Sequence, residues 1–486
     1  MPHTQQTTRP SILFVFADQM RGTDMGCAGN PQVHTPNMDR LAAEGAMFTT
    51  AVSCFPVCTP HRGCLISGRY PTTTGVMDND VPLPIDGRGL GHCLKTAGYR
   101  TGWIGKWHLF GPEEVRQTYI PPGEHRHGFD DLWAGLDCSH RYFDHFYYLN
   151  DSPERISFRG YEPDVQTDLA LEFLHRNRGG APSALFLSWG PPHDPYDQVP
   201  ETWREHYRER DLGWRPNVDP QAPLICHPSP GNMRNPNFSL PAMYRAYEQD
   251  PELQALPNPA VVRDYYAAIS ALDHNLGRLL TGLDELGLAD DTIVVFTSDH
   301  GDMMYSQRAA QKNHPWDESL LVPFLIRYPA AIPAGTRISA PFNTVDILPT
   351  LLELAGVAAP EFAEGTSFAG AVRGLDQSLP EAAYILCAWP WILPEWRGIR
   401  TEDHTYVEAH AGPLLLFDNR NDPYQMENLV NRPEHRDLQE RLRRVYRRMA
   451  AQVGDPFDPW PVVRERMERT REAWRHRHAH LLETAR

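Results

Sequence analysis

Five consecutive residues, Cys58-Thr59-Pro60-His61-Arg62, set a thiol, an imidazole and a guanidinium within little more than one helical turn. Pro60 fits the first position of a helix, where a missing N–H costs nothing. The run Gly63 to Ser67 can continue it as a short buried helix. Such a start places the Cys58 sulfur among free backbone N–H groups and beside a guanidinium. That setting lowers a thiol's pKa and attracts anions. A buried structural cysteine near a turn is the plainer alternative, and these five residues alone weigh the two about equally.

Four apolar runs elsewhere end in residues suited to chemistry. Ser11 to Ala17 ends in Asp18-Gln19, and Tyr99 to Gly105 runs into Lys106-Trp107-His108. Ala184 to Trp189 leads to His193-Asp194, and Thr292 to Phe296 leads to Ser298-Asp299-His300-Gly301. A continuous apolar run without alternation is the pattern of a strand buried on both faces, as in a parallel sheet. Ligands in such sheets bind just beyond the C-terminal ends of the strands, so four such endings can converge on one crevice. Taken singly, each has a duller alternative: a carboxylate after a strand is often a helix cap, and a lone His is usually a hydrogen-bonded structural residue.

Taken together, Asp18 and Asp299, joined by the Gln19 amide oxygen and His300, form a mostly oxygen donor set. That set suits a hard divalent cation, calcium or magnesium, and His300 admits manganese. Arg62, Lys106 and Lys312 supply positive charge for an anion beside it, and His108 and His193 can pass protons. Asn79 lies in the polar turn Asp78-Asn79-Asp80, either as a turn residue or as a substrate contact.

The positioning elements follow from periodicity. Thr35-Pro36-Asn37 opens a helix, with Thr35 as N-cap and Met38, Leu41, Ala42 and Met47 facing inward. Gly91 to Gly98, Val165 to Leu174 and Val261 to Leu286 read as helices, the last carrying Tyr265, Ile269, Leu272, Leu276, Leu279 and Leu283 at helical spacing. Val322 to Arg327 reads as a strand, and Asn343 to Ala355 as a helix whose first turns Pro349 disturbs. Residues 111–160 lack periodicity and read as long loops, and residues 197–260 as a Pro-rich insertion. Trp133, Tyr142 and Tyr147 in those loops are candidates to stack on a sugar or aryl ring, with core packing as the alternative. From about residue 380, short strands give way to an amphipathic helix marked by Leu438, Leu442, Val445 and Met449. Its basic outer face is a candidate homo-oligomer contact, a solvated face being the default.

The 486 residues carry 46 Lys plus Arg against 62 Asp plus Glu, a formal net charge of −16. That balance argues against nucleic-acid and anionic-membrane partners, although a local site can still be positive. No stretch approaches a membrane span or a secretory signal, so a cytoplasmic protein is expected. Eight cysteines without regular spacing make no disulfide framework. Cys54, Cys58 and Cys64 lack a CxxC pair or matching His cluster, so zinc is not expected.

From Ser11 to about Met426 the chain resembles a type I sulfatase of the alkaline phosphatase superfamily. The resemblance rests on C-x-P-x-R at Cys58–Arg62, G-K-W-H at 105–108, P-P-H-D-P at 191–195, S-D-H-G at 298–301 and the L-x-D-x-R-N-D-P-Y-Q-like stretch at 416–425. It implies that a separate maturation enzyme oxidises Cys58 to formylglycine, whose hydrate is the nucleophile. It further implies metal binding by Asp18, Gln19, Asp299 and His300, and a sulfate pocket lined by Arg62, Lys106, His108, His193 and Lys312. His193 and Lys312 are the candidates to protonate the leaving alcohol, and the substrate is a small sulfate ester of a sugar or aryl group. Two departures stand out. Gln19 replaces the second Asp of many sulfatases and matches related phosphonate monoester hydrolases, and His61 stands where Ser is usual. Phosphonate monoester or phosphodiester hydrolysis is therefore one alternative, and a catalytically silent anion-binding protein is another. The expected fold is α/β: a large alkaline-phosphatase-like domain over residues 1–375 with a mixed, mainly parallel sheet between helices, and a smaller α+β domain with a helical tail over 376–486.

Overall fold

The four apolar runs form the centre of one large sheet in a computed structural model that describes residues 9–222, 224, 256–375, 377–388 and 393–484. In chain order the first strands are β1 (Ser11–Asp18), β2 (Ala46–Phe48), β3 (Ala51–Val52) and β4 (Arg100–Lys106). Next come β5 (Leu132–Leu136), β6 (Phe146–Leu149), β7 (Arg155–Ser157) and β8 (Ser183–Pro192). β9 (Thr292–Ser298), β10 (Phe324–Arg327), β11 (Thr336–Ile338) and β12 (Phe342–Asn343) follow. The large sheet has the order β11-β2-β10-β9-β1-β8-β4-β5-β6-β7, while β12 pairs with β3 apart from it. Its five central strands, β9, β1, β8, β4 and β5, are parallel. β10, β6 and β7 add antiparallel pairs. The sheet is thus mixed and mainly parallel, and the C-terminal ends of its central strands share one edge.

Both faces of the centre are covered, which is why its strands show no polar alternation. Side chains of β1 still alternate by face, as the strand period requires. Leu13 and Val15 enter a core with Met38 and Leu41 of the helix Pro36–Glu44, Leu174 of Glu162–Asn177 and Leu276 and Leu279 of Pro259–Leu286. Ile12, Phe14 and Phe16 enter the opposite core with Leu65 and Ile66 of the helix Cys58–Ser67.

That second core continues into a four-stranded antiparallel sheet of β13 (Ala382–Cys387), β14 (Trp396–Thr401), β15 (His404–Ala409) and β16 (Gly412–Asp418). The helix Arg436–Gln452 lays buried Leu442, Val445 and Tyr446 on it. Leu386 N donates to Cys54 O at 2.8 Å, tying this sheet to the segment before Cys58. Among the described residues no helix is long and apolar enough to cross a membrane.

Several sequence expectations need correction. Residues 111–160 are not only loops: β5, β6 and β7 extend the large sheet, but at three to five residues each they are too short to show a period. Met47 lies in β2, not on the preceding helix, which ends at Glu44. The cysteine helix starts at Cys58 itself, so Pro60 is its third residue; the first-turn N–H groups have no intrahelical partner, and proline is tolerated there too. Asn343 to Ala355 divides into a 3-10 turn, Thr344–Asp346, and the helix Ile347–Leu354, with Pro349 in the first turn of the latter. Of the insertion at 197–260, Glu201–Tyr207 is a helix, and positions 223 and 225–255 lie outside the described residues.

Candidate active site

The helix Cys58–Ser67 is buried along its whole length. Its N-cap, Val57, has no side chain to close the first turn, and Asn79 Oδ1 accepts instead from Thr59 N at 3.1 Å. At the other end Gly68 adopts φ 66° and donates to Cys64 O, a left-handed stop that glycine makes without strain. The helix is thereby fixed at both ends, with Cys58 at the sheet edge where β1, β4 and β9 finish.

The strand endings do converge. Cys58 Sγ lies 3.3 Å from His300 Nε2, 3.2 Å from Lys312 Nζ and 3.6 Å from Asp18 Oδ1. Asp18, Cys58, Asp299 and His300 each offer one ligand atom within 4.8 Å of the others, and all four are buried. Two carboxylates and an imidazole in a buried, cation-lined recess are a donor set that fits a divalent cation. Gln19 Oε1 accepts from Lys312 Nζ at 3.1 Å, while its Nε2 donates to Asp302 Oδ2 at 2.7 Å. This fixes the amide with its oxygen toward the site. An amide oxygen has two lone pairs, so one remains for an ion.

The cations divide their work. Arg62 donates to Asp18 Oδ2 and Asp299 Oδ2, both at 3.2 Å, and to Ser188 Oγ and Lys106 O. With all its nitrogens engaged and no exposure, it orients the two carboxylates. Lys106 Nζ donates to Asp18 Oδ2 at 2.6 Å. Lys312 Nζ lies 2.7 Å from His193 Nε2, while His193 Nδ1 faces Asp194 O at 2.8 Å. One proton between Nζ and Nε2 satisfies that contact. His108 Nε2 meets Asp80 Oδ1 at 3.2 Å.

Burial pushes the Cys58 thiol up, yet Lys106, Lys312 and His300 together hold it well below the usual thiol range. Burial and Cys58 push Asp18 up, but Lys106, His193 and Arg62 hold it far below an ordinary carboxylate. Asp299 goes the other way: burial and the Asp18 charge raise it against His300 and Arg62. Burial opposes a charge on His108, and Cys138 and Asp80 nevertheless hold it well above the ordinary histidine value. His61, the unusual residue of the motif, is buried with its Nδ1 2.9 Å from Ser53 Oγ. Burial and the neighbouring His300 and Arg62 push it well below the ordinary value, so it is a neutral core group.

Every nominated residue except Asn79 therefore lies in this cluster, and Asn79 braces it from behind through Thr59. Trp133 and Tyr142 are core residues with 0% and 1% exposure, which removes them as stacking platforms; Tyr147 is half-buried. Sequence reasoning missed His140, whose ring stacks on His193 at 4.1 Å and whose Nε2 lies 3.5 Å from Lys106 Nζ. It also missed Asp80, Ser188, Tyr196 and Asp302, the partners that orient the central groups. His140 sits in an aperiodic stretch with no local signal, whereas Asp302 follows S-D-H-G directly and was within reach.

The family model described as Sulfatase matches residues 10–357, and one described as N-sulphoglucosamine sulphohydrolase, C-terminal, matches residues 308–452. An ulvan-active sulfatase of Formosa agariphila is 38% identical over 461 residues, covering 93% of this chain and 83% of that protein. A solved structure of a protein in complex with its substrate D-glucosamine-2-N,6-O-disulfate superposes with TM-score 0.77 at 26% identity, covering 93% of this chain and 99% of the other. The phosphonate monoester hydrolase of Agrobacterium radiobacter, at 22% identity, TM-score 0.69 and coverage of 92% and 96%, shares the fold. With the buried thiol, the paired carboxylates and three cations gathered at one sheet edge, these matches establish that the chain belongs to the sulfatase family and is a sulfuric ester hydrolase.

Proposed function

We propose that Cys58 is converted to formylglycine by a separate maturation enzyme, and that the completed site hydrolyses a sulfate ester of a sugar, R–O–SO3⁻ giving R–OH and sulfate. The observation that carries this is the position of Cys58 Sγ, within 3.6 Å of Asp18, His300 and Lys312 in a buried, cation-rich recess. Sγ stands where the oxygens of the hydrated aldehyde would be. The sugar class is supported by the ulvan-active relative and by the glucosamine disulfate complex.

Asp18, Gln19, Asp299 and His300 would hold one divalent cation, calcium in this reading because oxygen donors predominate. When bound, the cation offsets charge at the sulfate and the hydrated aldehyde supplies the attacking hydroxyl. The chain's own side chains do the rest. Lys106, with Arg62 behind it, balances the ester's negative charge, and Lys312 adds a second ammonium. The proton held between Lys312 Nζ and His193 Nε2 goes to the leaving alcohol oxygen. His108, held above the ordinary histidine value by Cys138 and Asp80, would add positive charge beside the ester. Asn79 holds the nucleophile's helix in place through Thr59 N.

The test is the mass of the tryptic peptide containing Cys58, from protein made with and without the maturation enzyme, followed by turnover. An aldehyde there, with faster release of sulfate from a sulfated monosaccharide than cleavage of a phenylphosphonate ester, supports the proposal. A persistent thiol in active protein refutes the formylglycine assignment, and a faster phosphonate reaction refutes the choice of ester.

A further inference from the structure

Both family models end by residue 452, yet a helix beyond them reaches back to the loops around the active site. In the helix Trp460–Arg477, the Arg471 side chain is 13% exposed and turned inward. Its Nη2 donates to Asn79 O at 2.6 Å and its Nε to Asp80 O at 3.0 Å, and Nη2 lies 3.5 Å from Asp78 Oδ2. One planar guanidinium thus grips three consecutive residues of the 78–80 turn, a geometry that the point charge of a lysine cannot reproduce.

That turn reaches the site by two routes. The Asn79 side chain accepts from Thr59 N, next to Cys58. The Asp80 carboxylate meets His108 Nε2 and takes both Nε and Nη2 of Arg116. One turn further along the helix, Trp474 packs edge-on to Phe110 with ring centroids 5.2 Å apart. It also lies over Gly111, where an added Cβ would come within 2.8 Å of the indole. The helix therefore clamps two segments at once, 78–80 and 108–116, which carry Asn79 and His108.

We propose that Arg471 is a positioning residue for the sulfatase reaction, acting through the Asn79 turn on Cys58 and His108. This rests on the roles proposed above for Cys58, Asn79 and His108. A small displacement of reacting groups costs rate out of proportion to its size, so the effect falls on turnover more than on binding.

The test compares Arg471→Ala, Arg471→Lys, Asn79→Ala and the double variant Arg471→Ala/Asn79→Ala, all carrying the aldehyde, with para-nitrophenyl sulfate as probe. Arg471→Lys keeps the charge and the aliphatic stem, so it serves if the alanine variant does not fold. Each single Arg471 variant is expected to lower kcat about tenfold with little change in KM. In the Asn79→Ala background, the further loss on Arg471→Ala is expected to shrink to about threefold, the share that still passes through Asp80 to His108, because coupled residues are not additive. Arg469→Ala, on the exposed face of the same helix, controls for the loss of an arginine that does not touch the 78–80 turn and is expected to match the unsubstituted enzyme. Unchanged kcat in folded Arg471→Lys, or full additivity with Asn79→Ala, overturns the proposal. The unsubstituted enzyme is assayed in parallel on a sulfated monosaccharide, and its failure to release sulfate from either ester would indict the site reading instead.

Discussion

Two helices of nearly equal length begin alike and serve opposite ends. Neither Pro36–Glu44 nor Cys58–Ser67 is closed by its own N-cap side chain, and each borrows an acceptor from a distant segment. For the first, Asp273 accepts from Asn37 N at 3.0 Å, Met38 N at 2.8 Å and Asn37 Nδ2 at 2.9 Å. For the second, the neutral amide of Asn79 takes one N–H, that of Thr59. A carboxylate cancels the positive end of the helix dipole, whereas an amide satisfies a donor and leaves that end electropositive. The first start is built for stability. The second leaves its start electropositive, beside the ammonium groups of Lys106 and Lys312.

The sharpest way to break this contrast is to remove the group the second helix presents. Cys58→Ala is expected to lower turnover of a sulfate ester at least a thousandfold (~10³) while circular dichroism stays unchanged. Near-native turnover would end the nucleophile assignment. Next in size is Lys312→Ala, which takes away a charge and the partner of His193 at once. A loss of roughly 10²-fold in kcat is expected from the missing electrostatic stabilisation. An ester with a better leaving group should recover part of it, and equal losses on good and poor leaving groups would deny Lys312 and His193 the protonating role. Removing divalent cations with a chelator should likewise abolish turnover, with recovery on adding calcium; full activity without any divalent cation would refute the metal reading.

A third change converts one helix start toward the other. Asn79→Asp keeps an acceptor for Thr59 N but adds a negative charge at the helix start. A drop of about tenfold in kcat/KM is expected, since charges at helix termini are worth ~1–2 kcal/mol in partly buried settings. An unchanged kcat/KM would show that the electropositive start contributes nothing to anion handling.

The sequence carried the second helix more fully than the first. Asp18, Lys106, His193, Asp299 and His300 were visible because each closes or follows an apolar strand run, and central parallel strands must end at one edge; Cys58 and Arg62 were visible through the C-x-P-x-R spacing around a helix start. The same logic foresaw the mixed sheet, while the short strands β5 to β7 carry too few residues to show alternation. The partners of the site were hidden for a different reason. Asp273 lies 235 or more residues from the N–H groups it caps, Asp80 comes from a turn whose composition says only that it is a turn, and His140 from an irregular stretch. Thr35 looked like the cap of the first helix, but its hydroxyl accepts from Gly26 N instead. Local chemistry nominates an acceptor, and long-range packing decides which one is used.

The smallest expected effect on turnover belongs to Asp273, and it tests the stability half of the contrast. Asp273→Ala leaves buried donors unsatisfied and is expected to lower stability by roughly 2 kcal/mol with kcat unchanged. Its pH dependence has a definite sign. Burial pushes the Asp273 carboxyl up from 3.8 to about 6, with the N–H groups of Met38 and Asn37 pulling the other way. The folded state therefore binds this proton more tightly than the unfolded chain, and the residue's contribution falls as pH rises from about 4 to 6 before levelling off. Urea denaturation of both proteins should show a larger wild-type margin near pH 4 than near pH 7. A margin that grows with pH would mean that the three N–H bonds outweigh burial. Asp273 would then act as a charged cap whose ionised form is favoured outright, and the contrast with the neutral Asn79 would widen.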